Sequence, residues 1–96
     1  MAMGPEERVK AAVKKYLASQ GAWYCMPIGT GWGRSGIPDF LVAWRGRFIA
    51  IETKAPGKIK NTTTMQEREI AEINAAGAVA VVIDDVSQLA HIFEEQ

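Results

Sequence analysis

The chain has 96 residues, 48% of them hydrophobic, which suits a single domain over residues 1–96; one cysteine excludes an internal disulfide, and one histidine leaves too few ligands for a zinc site. No apolar run approaches the ~20 residues that cross a bilayer and no secretory leader opens the chain, so no membrane partner and an intracellular, reducing setting are expected. The formal net charge is zero but unevenly spread: residues 1–60 carry ten Lys and Arg against four acids, and residues 61–96 carry one Arg against seven acids. A face built from the first part can hold phosphates while the acidic remainder keeps the protein soluble, although two ordinary solvated faces would give the same distribution.

Residues 1–4 ("MAMG") are expected to lie outside the fold. "PEERVKAAVKKYLASQG" then places Val9, Ala12, Val13, Tyr16 and Leu17 at helical spacing, with Pro5 in the first turn and Gly21 as the stop. At about 100° per residue Glu6 falls on the side of Val9 and Val13 while Glu7 points away, so Glu6 is the acid aimed inward, with Glu7 the alternative if the helix starts differently. Lys10, Lys14 and Lys15 read as a solvated helix face. "AWYCMPI" reads as a strand, with Cys25 in the core. "GTGWGRSGIP" is a glycine-rich loop whose Arg34 and Trp32 offer a phosphate grip and a stacking surface, or a cap over a small core.

"DFLVAW" and "RFIAIETK" are strands around Arg45, Gly46 and Arg47, a connection short enough to require an antiparallel hairpin. "APGKIKNTT" breaks the pattern. A helix from about Thr64 to Ala76, with Ile70 and Ile73 on its inner edge and Gly77 as cap, leads to the buried strand "AVAVVI", and a last helix spans Val86 to Glu95. The order αβββαβα describes an α/β domain, a mixed sheet flanked by helices.

Strand alternation puts Phe48, Ala50, Glu52 and Lys54 on one face, and the hairpin brings Asp39, at the start of the first strand, near the end of the second. Two carboxylates this close repel unless a cation lies between them, and an oxygen-rich site of this kind suits Mg²⁺ or Mn²⁺. Lys54 is placed to orient or deprotonate a water for attack on a phosphodiester. An acid two residues before a lysine at a strand end is also a common surface ion pair, and it is the combination with "GIPD", a hairpin and an upstream inward acid that carries the reading. Lys58 and Lys60 follow the proposed site and suit phosphate contacts; Arg45 and Arg47 lie in a turn remote from the carboxylates, and His91 reads as structural or exposed.

"GIPDF" followed by "FIAIETKAPG" resembles the signature of PD-(D/E)XK nucleases with a restriction-endonuclease-like core, and over nearly the whole chain it resembles their virus-type replication-repair nuclease branch, VRR-NUC. Glu6, Asp39, Glu52, Lys54 and Gln66 match that pattern in order. The resemblance implies Asp39 and Glu52 as ligands of Mg²⁺ or Mn²⁺, with the main-chain carbonyl of Thr53 as a third, Lys54 acting on the water, Glu6 supporting the site, and the Gln66 amide beside it. It further implies an endodeoxyribonuclease of phage or bacterial type in the host cytoplasm, pairing as a homodimer and cutting branched DNA in DNA repair, four-way Holliday junctions in particular, with no small-molecule cofactor. Flap, nicked or linear duplex DNA is the alternative substrate, and a non-catalytic nucleic-acid-binding module the alternative of another class.

Overall fold

A computed structural model describes residues 3–29 and 33–94. The first helix, α1 (Pro5–Ser19), begins at Gly4 with Pro5 in the first turn, where a missing N–H costs nothing, and with Glu6 and Glu7 at the positive end of the helix dipole. Val9, Val13 and Leu17 recur every fourth residue and form its buried stripe. The strands are β1 (Trp23–Cys25), β2 (Phe40–Trp44), β3 (Arg47–Thr53) and β4 (Val79–Ile83), with α2 (Thr64–Ala75) between β3 and β4. They form one sheet in the order β1-β2-β3-β4, antiparallel except for the parallel pair β3 and β4, which the α2 crossover connects. This is the expected mixed sheet flanked by helices.

The β2–β3 turn consists of Arg45 and Gly46, both at positive φ (49° and 76°), the mirror-image turn whose twist matches a two-residue hairpin. One sheet face carries Phe40, Val42, Trp44, Ile49, Ile51 and Ile83 onto the α1 stripe and onto Leu89, Ile92 and Phe93. α2 packs against β4, and its Asn74 exchanges two hydrogen bonds with the backbone of Ala80 (3.0 and 2.9 Å), covering part of the open edge of β4.

Three elements differ from the sequence reading. β1 stops at Cys25, the last residue paired with β2, and Pro27, two positions on, has no N–H to donate to a ladder. The last helix is instead a 3-10 turn, Val86–Leu89, followed by turns through Phe93. Arg47 Nη1 donates to the Ile92 carbonyl at 2.9 Å and Phe93 packs against Trp44 and Tyr16, so contacts with the sheet and α1, rather than a helical ladder, hold this segment. On α2 the buried residue is Glu69, while Ile70 and Ile73 are half-buried. Arg34 makes that burial tenable by donating to both Glu69 oxygens, at 2.9 and 3.0 Å, and to Glu72 at 2.6 Å.

Candidate active site

The hairpin register sets Phe40 against Ile51, so one step further along it Asp39 faces Glu52 at the end of the sheet where β3 runs into the crossover. Asp39 Oδ2 accepts from the Thr53 backbone N–H at 3.0 Å and from its hydroxyl at 2.6 Å, which fixes the carboxylate against the strand. Glu52 is 3% exposed. Its Oε2 accepts from Gln66 Nε2 at 3.0 Å and lies 3.5 Å from Lys54 Nζ, whereas its buried Oε1 has no hydrogen-bond partner among the described residues. Burial, and then the charge of Asp39, push the Glu52 carboxyl up to about 7 against the opposing pull of Lys54. Such a carboxylate is short of positive charge.

Gln66 ties the cluster to α2. Thr63 caps the helix by accepting from the Gln66 N–H at 3.1 Å, and Gln66 Oε1 returns the bond by accepting from the Thr63 N–H at 3.0 Å. The same Oε1 accepts from Lys54 Nζ at 2.9 Å, so one amide side chain closes the capping box and grips both the acid and the lysine of the "ETK" triplet. Gly36 of "GIPD" makes this approach possible: at φ +79° its α-carbon faces the start of α2, where an added Cβ would fall 2.6 Å from the Met65 carbonyl and 2.9 Å from Gln66 N.

Asp39, Glu52, Lys54 and Gln66 thus meet. Among the described residues Glu6 is tied to them through Lys10, whose Nζ lies 2.6 Å from Glu6 Oε2 and 3.8 Å from Asp39 Oδ2. Glu7 is 64% exposed and 3.9 Å from the same ammonium. Lys10 is the residue the sequence reading missed: its side chain is only 17% exposed, while Lys14 and Lys15 do face solvent. The available signal was its place four residues after Glu6, the favourable orientation of a helical ion pair. Three carboxylates raise the Lys10 ammonium above its ordinary range despite the opposing effect of burial. Thr53, read only for its carbonyl, contributes its N–H and hydroxyl to Asp39.

Arg34 is spanned by the two α2 carboxylates, Lys58 and Lys60 are exposed around the short turn Ile59–Asn61, and Trp32 lies outside the described residues. Cys25 is half-buried, His91 is exposed, and Arg45 stacks over the Trp44 ring at 4.8 Å. Among the described residues no group of three or more His, Cys, Asp or Glu side chains is gathered tightly enough to hold a metal ion; between Glu6 and Asp39 stands the Lys10 ammonium. Nor, among these residues, is any helix long and apolar enough to cross a membrane.

No family model matches the chain, and no curated protein matches it. Among solved structures, one described as a VRR_NUC domain superposes with a TM-score of 0.74 at 29% identity, over 97% of this chain and 98% of that one.

Proposed function

We propose that this chain, a VRR_NUC-like nuclease domain with a PD-(D/E)XK-type α/β fold, is a Mg²⁺- or Mn²⁺-dependent endodeoxyribonuclease that hydrolyses phosphodiester bonds in branched DNA, four-way junctions in particular, as a homodimer. The observation that carries the nuclease reading is the buried Glu52, one oxygen of which has no hydrogen-bond partner among the described residues, facing Asp39 and gripped with Lys54 by Gln66. The residues fit a divalent cation: hard oxygen donors, one of them without a hydrogen-bond partner, and a carboxyl that burial and a like charge disfavour ionising alone. Asp39, Glu52 and the Thr53 carbonyl would hold the ion. When bound, it supplies positive charge against the negative charge that develops on the phosphate.

The rest of the chemistry belongs to the chain. Lys54, held by Gln66, orients the attacking water. As the water oxygen bonds to phosphorus its proton passes to solvent, the bond from phosphorus to the leaving sugar oxygen breaks, and that oxygen takes a proton from solvent, giving one phosphomonoester end and one hydroxyl end. Thr53 keeps Asp39 from rotating away, so the donor geometry exists before substrate arrives. Junction selectivity and pairing rest on the likeness to VRR-NUC proteins, and paired incisions on a two-fold symmetric junction require two active sites.

The test compares the parent with Lys54→Ala on a labelled four-way junction and on matched linear duplex, with Mg²⁺, Mn²⁺ or EDTA, and with binding followed separately. The parent should cut the junction only with metal, and the variant should bind equally well yet cut roughly 10²–10⁴-fold more slowly. Binding without cutting in either ion would replace the enzyme with a nucleic-acid-binding module. Equal cutting of duplex would remove the junction from the proposal.

A further inference from the structure

We propose that Lys10 is a built-in counter-ion that competes with the divalent cation for Asp39 and Glu6, an inference that rests on the metal-dependent reading above. Its ammonium lies 2.6 Å from Glu6, 3.9 Å from Glu7 and 3.8 Å from Asp39, so it joins α1 to the start of β2 at the point where the site needs positive charge. A lysine on a buried helix face ordinarily runs its methylenes along apolar surface and lifts its charge into water. Lys10 instead ends among carboxylates, with its side chain 17% exposed, next to the buried Val9 and one turn before Lys14, which does reach solvent.

Two cations cannot share Asp39 without cost. A doubly charged ion held by Asp39 and Glu52 would share Asp39 with an ammonium 3.8 Å from its Oδ2, and their repulsion would weaken the ion's binding and push the lysine outward. Expulsion has a second effect, because it releases Glu6. The helix phase directs Glu6 inward, yet in the structure its carboxylate is spent on Lys10. Freed, it becomes a third carboxylate on the side of the site that α1 covers. Lys10 therefore holds the site together without metal and sets how readily metal enters, acting as a positioning residue through Glu6 and Asp39.

The experiment is calorimetric titration of Mn²⁺, in the absence of DNA, into the parent, Lys10→Met, Lys10→Arg and the double variant Lys10→Met/Glu6→Gln. Lys10→Met should bind on the order of tenfold more tightly than the parent. Lys10→Arg should stay at or below the parent, and the double variant should lose most of the gain. Unchanged or weaker binding by Lys10→Met, with the parent binding, overturns the counter-ion role and leaves the nuclease reading intact. Binding by neither parent nor Lys10→Met overturns both. Should Lys10→Met fail to fold, lysine-labelled parent protein provides the measurement instead. Exchange of the Lys10 ammonium protons with water, followed by nuclear magnetic resonance, should speed up as Mg²⁺ fills the site, and unchanged or slower exchange overturns the inference.

Discussion

Glu52 shows how a single side chain connects stability to chemistry. Its folded-state carboxyl holds a proton to about pH 7, whereas the unfolded chain releases it near 4.5. Between those values the folded state binds the extra proton, so the stability that this group contributes is present below about pH 4.5 and is lost as pH rises through 7. Glu52→Gln cannot ionise, and its side-chain oxygen can still accept from Gln66 Nε2. In metal-free buffer the variant should therefore gain on the parent between pH 5 and 8, by ~1–2 kcal/mol once residual hydration is allowed for. Thermal melts across that range give the answer. Adding Mg²⁺ should reverse the ranking, because the ion stabilises only a protein that holds it.

At the scale of elements, the site depends on how closely the "GIPD" loop approaches the first turn of α2. Gly36→Ala adds a left-handed backbone penalty of about 1–2 kcal/mol, before counting a methyl group 2.6 Å from the Met65 carbonyl. The start of α2 must shift, and Gln66 with it. Gly36→Ala is expected to lose cleavage by far more than its drop in melting temperature accounts for, whereas Gly29→Ala, where an added Cβ meets nothing within 4 Å, should leave cleavage near the parent's. Assaying each variant well below its own melting temperature separates the two effects.

The elements also show what the sequence made legible. The α1 stripe, the hairpin and the existence of the β4 strand follow from period and turn chemistry, and the hairpin was enough to bring Asp39 near Glu52. Hidden from it were meetings of residues far apart in the chain. Nothing local announces that Arg34 reaches 35 positions along to Glu69, or that the Arg47 guanidinium meets the Ile92 carbonyl beyond the 3-10 turn Val86–Leu89. Gln66 lay between the two cases. Its spacing after Thr63 is that of a capping box, but its grip on Lys54 and Glu52 exists only once β3 and α2 are side by side.

For the whole molecule, zero net charge means that any hold on DNA must come from local groups rather than a general attraction. Lys58 and Lys60, exposed just beyond the site strand, are the available cations there, since Lys10 and Lys54 are engaged by carboxylates and by Gln66. Replacing Lys58 and Lys60 by Ala should flatten the dependence of junction affinity on salt, the logarithmic slope falling by about one for each phosphate no longer neutralised. Binding isotherms between low and moderate salt measure this directly, and an unchanged slope would place the DNA elsewhere on the surface.

The capping box has a consequence for temperature. A helix end is among the first parts of a fold to open, well before the core gives way. Here the opening of a single turn would take the Gln66 amide from Lys54 and Glu52 while Phe40, Ile49 and Ile51 remain packed. The fuse of this protein is its helix start: on warming, it would stop working while still folded, and on cooling it would resume without having to refold.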